Sequence, residues 1–178
     1  MPLALLLVAL STPNPAPAPD HPAQVILFRH AEEPNKKDDP HLSVAGRAHA
    51  QRLVAWFASH PEFRRFGAPA AIYATRMTND GNGQRTAETV APLAASLHLP
   101  VRTPYTGSDD QKLAKLILGN PALKGKTVII CWNHEEIPDL ADALGVKRAP
   151  HKWPANVYNR AWVITWKGRR ADVKEIPE

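Results

Sequence analysis

Residues 24–32 read Gln-Val-Ile-Leu-Phe-Arg-His-Ala-Glu, and this stretch decides the fold. An apolar run with β-branched residues, bounded upstream by Pro22, predicts a short strand buried on both faces, as in parallel sheets. Arg29 and His30 follow where that strand ends. In open α/β sheets, ligands collect outside the carboxyl ends of the strands. The stretch therefore predicts both a central strand and a place for chemistry.

Outward from this strand, short apolar runs alternate with segments of helical periodicity. The predicted strands are residues 24–30, 70–74, 126–132, 161–166 and 171–176, the last two as a hairpin. The predicted helices are residues 43–59 with Ser43 as N-cap, 85–97, one capped by Ser108 or Asp109 that runs to residue 118, and one that ends at residue 144 before Gly145. This alternation predicts a three-layer α/β/α domain around a mainly parallel sheet.

The first 22 residues differ from the rest of the chain. Residues 3–10 form an apolar run far shorter than the roughly 20 residues that span a bilayer. Alternating proline and alanine follow, so the segment is similar to a secretory signal and a Pro/Ala-rich linker, although no Lys or Arg precedes it. We expect residues 1–22 to lie outside a domain of residues 23–178. The expected location is periplasmic or secreted, with a cytoplasmic location as the alternative.

Composition narrows the function classes. The chain has 178 residues, with 22 basic and 17 acidic side chains and a formal charge of +5. The length fits one domain, and the moderate positive charge suits a small anionic substrate. The basic residues are scattered, which argues against nucleic-acid binding. The single cysteine, Cys131, excludes an internal disulfide and a multi-cysteine metal cage, and its position in a strand predicts an inert core thiol.

Polar residues that follow three predicted strands are expected to meet at one edge of the sheet. They are Arg29 and His30 after the first strand, Arg85 beyond the loop at residues 75–84 after the second, and His134 and Glu135 after the third. This combination suits phosphate chemistry. An imidazole can act as nucleophile or base, and guanidinium groups bind the oxygens of an anion in pairs.

Four motifs resemble the histidine phosphatase, or phosphoglycerate mutase-like, superfamily, and they occur in the family's order. They are Arg29-His30-Ala31 where the family has Arg-His-Gly, the Leu-Ser-x-x-Gly-x-Ala segment at residues 42–48, Arg85 with Thr89, and His134 with Ile137. The resemblance extends from about residue 25 to residue 145. It implies a phosphoglycerate mutase-like fold and a phosphohydrolase that acts on a small phosphomonoester through a phosphohistidine. No metal and no organic cofactor is implied.

The resemblance also implies residue roles. His30 would be the nucleophile, and Arg29, Arg85 and His134 would bind the phosphate and stabilise its charge. The leaving group needs a proton donor, for which three candidates remain. Glu135 directly follows His134 and is preferred, while Asp109 and Asp110 are the alternatives. The loop at residues 75–84 is longer than the family's usual link and is expected to shape substrate access.

Two other functions stay open. Ala31 replaces the family glycine and the acid is unassigned, so the chain could be a relative that binds a phosphorylated ligand with little turnover. The second alternative is a cell-envelope interaction module that uses the proline-rich arm. Residues 32–34 depart from the mutase pattern, so mutase activity is not expected.

The remaining histidines and tryptophans have no motif context and are predicted to be structural. The histidines expected in the linker, at the surface or in turns are His21, His41, His49, His60, His98 and His151. Three tryptophans are expected to cover the sheet, namely Trp153, Trp162 and Trp166. Of these, Trp153 could instead border the expected phosphate site. Arg76 is expected to be a solvated loop residue.

Overall fold

The computed structural model describes residues 20–36, 39–79, 81–168 and 170–178, and its elements follow the alternation in the sequence. The strands in these ranges are β1 Gln24–Arg29, β2 Pro69–Ala74, β3 Val101–Arg102, β4 Thr127–Trp132, β5 Arg160–Lys167 and β6 Arg170–Pro177. The helices are α1 Val44–Ser59, α2 Pro61–Arg64, α3 Gln84–Ser96, α4 Asp110–Gly119 and α5 Ile137–Ala143, with a 3₁₀ turn at Pro121–Leu123.

One sheet with the order β3-β2-β4-β1-β5-β6 runs through the domain. β1, β2, β3 and β4 are parallel to one another, and β5 runs antiparallel to β1 and β6. The prediction of a mainly parallel sheet is confirmed. Arg29 lies opposite Trp132, and Ala74 lies opposite Cys131, so β1, β2 and β4 end almost level. The register therefore brings the residues after these strands to one edge.

The helices form two layers that make the predicted α/β/α arrangement. α1 packs on α3, and α4 packs on α5. The connections β1–β2 and β2–β3 run one way along the sheet and β3–β4 runs the other, so right-handed crossovers place the two helix pairs on opposite faces. Every residue of β1 and β4 is buried, as expected of strands covered on both sides. The short β3 and α2 were not predicted, because two residues of strand and one helical turn carry too little periodicity to be recognised.

The start of α1 is tied to the loop after β1. The Ser43 hydroxyl accepts a hydrogen bond from the Gly46 N–H at 2.9 Å, which confirms the predicted N-cap. The Ser43 N–H donates to the Glu32 carbonyl oxygen, also at 2.9 Å. A Cβ on Gly46 would overlap that same carbonyl oxygen. Glycine at this position thus lets α1 approach the loop that begins with His30.

The prediction that His49 lies at the surface or in a turn is wrong. His49 is buried in α1 and is 2% exposed. Its Nδ1 lies 2.9 Å from a carboxylate oxygen of Glu32, and its Nε2 lies 2.6 Å from one of Glu178. Nδ1 is hydrogen-bonded to Glu32, and the Glu178 carboxylate lies beside Nε2, which allows a polar ring in the interior. Glu178 is remote in sequence, so no local pattern could show this arrangement.

Cys131, Trp153 and Trp162 lie in the interior, while Trp166, the third tryptophan expected to cover the sheet, is partly buried against the core. Cys131 is completely buried, and burial raises the pKa of its thiol well above the ordinary value, which keeps it protonated. Trp153 and Trp162 are each 1% exposed, and their rings pack 5.2 Å apart. The Trp153 Nε1–H donates to the Val157 carbonyl oxygen at 2.8 Å. Trp153 therefore belongs to the core.

The predicted signal and linker lie largely outside the described residues, and export stays a prediction. The last part of the predicted linker contacts the domain. Lys124 Nζ lies 2.8 Å from an Asp20 carboxylate oxygen, and the His21 ring stacks on Trp166 at 4.8 Å between centroids. Among the residues that the structure describes, no helix has the length and apolarity needed to cross a bilayer.

Candidate active site

A cavity of about 410 Å³, here the first cavity, opens where β1, β2 and β4 end. Four of the predicted site residues line it, namely His30, Arg85, His134 and Glu135. Arg29 is the last residue of β1 and is buried next to His30. The register of the parallel strands thus brings together the five residues that the sequence predicted. The lining also includes Gly81, Asn82 and Gly83, from the long loop before α3.

His30 is buried in a form suited to nucleophilic attack. Its Nδ1 lies 2.8 Å from the Ala31 carbonyl oxygen. Since a carbonyl oxygen can only accept a hydrogen bond, Nδ1 carries the proton and Nε2 keeps its lone pair. The pKa of His30 is lowered to about 4, chiefly by burial. The hydrogen bond to the Ala31 carbonyl acts in the opposite direction, and the neighbouring charge of Arg29 adds to the lowering. The imidazole is therefore neutral at neutral pH.

Arg29 presents unsatisfied donors at the end of β1. Its Nη1 donates to the Ala155 carbonyl oxygen, and its guanidinium lies 3.9 Å from the centroid of the Tyr158 ring. Its Nε and Nη2 are buried and form no hydrogen bond with any described residue. Burial also lowers the pKa of Arg29, although a guanidinium stays charged in proteins. Buried donors without acceptors are costly, so these two nitrogens remain available to an acceptor.

Arg85 enters the first cavity from the first turn of α3. Its Nη2 donates to the Asp39 carbonyl oxygen, and its Nε donates to that of His41 at 3.3 Å. Its Nη1 lies 2.9 Å from a carboxylate oxygen of Glu33, whose other oxygen lies 3.6 Å from Arg29 Nη2. Two guanidinium groups thus flank one carboxylate. The Arg85 side chain is 21% exposed, against 0% for Arg29.

His134 and Glu135 follow β4 and complete the cavity on that side. His134 Nδ1 is buried and has no hydrogen-bond partner among the described residues, and its Nε2 lies 3.8 Å from a carboxylate oxygen of Glu135. Burial lowers the pKa of His134, and the positive charge of Arg29 acts in the same direction. The Glu135 side chain is 73% exposed and lines the mouth of the cavity.

The two aspartates considered as proton donors lie in the α4 region. Asp109 accepts hydrogen bonds from Lys112 at 2.6 Å and from the Thr106 hydroxyl at 2.7 Å. These hydrogen bonds lower the pKa of Asp109 to about 2, and the bond from Lys112 has the largest effect. Asp109 is thus ionised at neutral pH and holds no proton to donate. Neither Asp109 nor Asp110 belongs to the described lining of the first cavity.

A second cavity of about 360 Å³ adjoins the first and shares Asn82, Gly83, Asn133 and Glu135 with it. The rest of its described lining is Arg76, Thr78, Thr106, Gly107, Ser108 and Glu136. Every lining residue is polar or glycine. The long loop at residues 75–84 contributes to both cavities, as expected of a loop that shapes access. Arg76, predicted as a solvated loop residue, is exposed and also lines this cavity.

Glu136 is a half-buried carboxyl group in the second cavity. Its Oε2 is buried and forms no hydrogen bond with the described residues. Burial, with a contribution from the charge of Glu135, raises the pKa of Glu136. The side chain thus lies in the cavity wall with an unused polar atom, which a hydroxyl group of a ligand could satisfy.

The sequence did not indicate Glu33, Tyr158 or Glu136 as site residues. Glu33 lies in the loop after β1, close to Arg29 in the chain, and its charge was the only signal that could have indicated it. Tyr158 lies before β5 and reaches the site through the fold alone. Within the described residues, no group of three or more His, Cys, Asp or Glu side chains could hold a metal ion.

No family model matches the chain, and no curated protein matches its sequence. Solved structures do match. A protein assigned as the phosphohistidine phosphatase SixA of Agrobacterium tumefaciens aligns with a TM-score of 0.56 and 16% identity, covering 88% of this chain and 99% of that one. A mycobacterial glucosyl-3-phosphoglycerate phosphatase aligns with a TM-score of 0.58 and 14% identity over 85% and 97% of the two chains.

A further solved structure is a protein assigned as an α-ribazole-5'-phosphate phosphatase of Escherichia coli. It aligns with a TM-score of 0.60 and 11% identity over 89% of this chain and 97% of that one. Nearly the whole length of each of these proteins is matched. At such low identity, what this chain shares with them is the fold.

Proposed function

We propose that this chain, which has the histidine phosphatase fold predicted from its four motifs, is a phosphohydrolase that acts on small phosphomonoesters through a phosphohistidine at His30. One observation carries the proposal. A neutral imidazole with a free Nε2 lies beside a buried arginine whose Nε and Nη2 have no acceptor among the described residues. A nucleophile next to unsatisfied cationic donors suits attack on a phosphoryl group.

The reaction would proceed in two steps. The phosphate binds between Arg29 and Arg85, and His30 Nε2 attacks phosphorus in line with the leaving oxygen. The new nitrogen–phosphorus bond forms as the phosphorus–oxygen bond breaks, and the leaving oxygen takes a proton from Glu135. Water then attacks the phosphohistidine and gives its proton to Glu135. Inorganic phosphate forms, and the imidazole recovers its lone pair.

The guanidinium groups supply the charge stabilisation that this mechanism needs. The equatorial oxygens of the phosphoryl group carry negative charge throughout the transfer, and two guanidinium groups can bind them in pairs. His134 adds a ring nitrogen, Nδ1, that has no partner among the described residues. None of these roles requires a metal ion, since the positive charge comes from the protein's own side chains.

The second cavity would take the leaving group. Its lining of hydroxyl, amide, carboxyl and guanidinium groups favours a hydroxyl-rich group over an apolar one. The similar structures include proteins whose names indicate quite different substrates, namely phosphohistidine, glucosyl-3-phosphoglycerate and α-ribazole-5'-phosphate. A shared fold therefore does not select among them, and we assign the preference from the cavity lining alone.

Phosphate release tests the proposal directly. The full chain should liberate inorganic phosphate from glycerol phosphate, sugar phosphates and an aryl phosphate. His30→Ala should not, while His151→Ala, a change at an exposed histidine, should behave as the parent does. If the parent releases no phosphate from any of these esters yet binds phosphate through the arginines, the chain is a phosphate-binding relative without turnover. Turnover that is undiminished in His30→Ala would refute the mechanism.

A further inference from the structure

Glu33 occupies the place between the two arginines. Its Oε2 lies 2.9 Å from Arg85 Nη1, and its Oε1 lies 3.6 Å from Arg29 Nη2. The Tyr158 hydroxyl donates to Oε1 at 3.3 Å. Glu33 also lines the first cavity, together with His30 and His134. A carboxylate thus forms a close ion pair with Arg85 and a longer one, without a hydrogen bond, with Arg29, the two guanidinium groups that the proposed function assigns to phosphate.

A carboxylate and a phosphoryl group compete for the same donors. Both present paired oxygens with negative charge to the planar N–H groups of arginine. The Arg85 side chain already donates to two carbonyl oxygens, so Nη1 is its nitrogen closest to an anionic partner. A phosphate that uses Nη1 must therefore take it from Glu33. The Glu33 side chain is 38% exposed, so the displaced carboxylate can turn towards water.

We propose that Glu33 is an internal competing anion of the phosphate pocket, which holds the arginines in the free protein and must be displaced by substrate. The proposal rests on the proposed function, because it assigns the arginines to phosphate. The apparent affinity for phosphate is then the affinity of the vacant pocket multiplied by the fraction of time that Glu33 leaves the pocket vacant. The same carboxylate returns to the arginines after the reaction, so it also assists the departure of inorganic phosphate.

The alternative to competition is that Glu33 only orients Arg85 for phosphate binding. In that case removal of the carboxylate would leave Arg85 less well placed, and phosphate would bind more weakly. The two roles thus predict effects of opposite sign on the same measurement. Glu33→Gln keeps the size of the side chain and removes its charge, so it separates them.

Titration calorimetry with inorganic phosphate measures the affinity without any need for turnover. The dissociation constant for phosphate should fall about tenfold in Glu33→Gln, as expected if the free pocket is vacant for roughly a tenth of the time. Tyr158→Phe, which removes only the hydroxyl that holds Glu33, should shift it in the same direction by a smaller factor. The matched control is Asp39→Asn, which removes another side-chain carboxylate from the lining of the same cavity and keeps the backbone carbonyl that accepts from Arg85.

The control distinguishes competition from a general loss of negative charge. Equal tightening in Glu33→Gln and Asp39→Asn would overturn the proposal, because loss of negative charge alone would then explain the effect. Unchanged or weaker binding in Glu33→Gln would also overturn it and would assign Glu33 to the orientation of Arg85. Absence of phosphate binding in the parent and in every variant would instead refute the arginine pocket, and with it the proposed function. Circular dichroism of each variant verifies the fold.

Discussion

The first and second cavities adjoin each other but are built in different ways. The first depends on strand ends. Arg29 terminates β1, His30 follows it, and His134 lies just beyond β4, so each side chain is fixed by the register of the sheet. The second cavity is built from loop residues such as Arg76, Thr106 and Ser108, and much of it is exposed. Residues on a rigid sheet suit the reacting group, and residues on loops suit a variable leaving group.

The contrast implies that changes in the first cavity affect the chemical step, whereas changes in the second affect the choice of substrate. A variant of the first cavity that alters only substrate preference would contradict this division of roles. A loop variant of the second cavity that abolishes turnover of every ester would also contradict it.

Among substitutions that keep the nucleophile His30, the largest effect is expected from the arginines of the first cavity. Arg29→Lys and Arg85→Lys keep the charge but remove the planar pair of donors. Loss of one donor to a transition-state oxyanion typically lowers the rate by about 10²–10³-fold. Arg29→Lys should be the more damaging, because its guanidinium is fully buried, whereas that of Arg85 is partly exposed. Steady-state turnover of an aryl phosphate measures both variants.

Arg102→Lys is the matched control for these substitutions. Arg102 also lies over a tyrosine ring, that of Tyr73, but it belongs to β3 at the edge of the sheet and lines neither cavity. It should keep turnover within a few-fold of the parent. Lys variants of Arg29 and Arg85 that stay equally active would show that phosphate binds elsewhere.

The next effect concerns Glu135, which lies at the junction of the two cavities. If it donates the proton, Glu135→Gln should slow alkyl phosphates by about 10²-fold, the lower end of the range for general acid catalysis. Aryl phosphates should be far less affected, since an aryl oxide departs with little help. Parallel rates for Glu136→Gln, Asp109→Asn and Asp110→Asn provide the comparison. Selective loss of alkyl turnover in one of those variants, but not in Glu135→Gln, would transfer the role.

The buried state of His30 predicts an unusual titration. Its pKa of about 4 lies below the unfolded value of roughly 6.5. At pH 5.5 only about a tenth of an ordinary imidazole population would be neutral, whereas His30 should remain almost entirely neutral. NMR titration of its ring proton should report this low value, and a midpoint near 6.5 would show that the ring is not buried in the free protein.

The same shift sets the sign of a stability effect. The folded protein favours the neutral form of His30, so this contribution to stability is complete above pH 6.5. It is lost as the pH falls from about 6.5 towards 4, because the unfolded chain then binds the proton more strongly. His30→Ala should weaken the dependence of the unfolding free energy on pH in that interval.

The smallest effect is expected in the second cavity. Arg76→Ala should raise the KM for a sugar phosphate a few-fold and leave turnover of a small aryl phosphate nearly unchanged, since Arg76 is exposed and lies only on the side of the leaving group. Comparison of KM and kcat for the two esters measures this. An equal loss of kcat for both esters would show that Arg76 takes part in the chemical step. The two cavities would then not have separate roles.

Much of this arrangement could be predicted from the sequence because it depends on local patterns. Buried strands show as apolar runs, and the residues after them meet by the geometry of parallel sheets, which is why Arg29, His30 and His134 could be placed together. The burial of His49 and the contact of Tyr158 with Arg29 and Glu33 depend on contacts between remote segments. No local pattern records such contacts. The wall of the second cavity likewise required the conformation of the loops.

Direct detection of the phosphoenzyme tests the central claim, that His30 is the nucleophile. Rapid quenching during turnover of a labelled phosphomonoester, under alkaline conditions that preserve phosphohistidine, should trap one phosphoryl group per chain. Peptide mapping should place it on His30, and His30→Ala should carry no label and release no phosphate. Turnover without a trapped intermediate at any time point, or a phosphoryl group on another residue, would contradict the account.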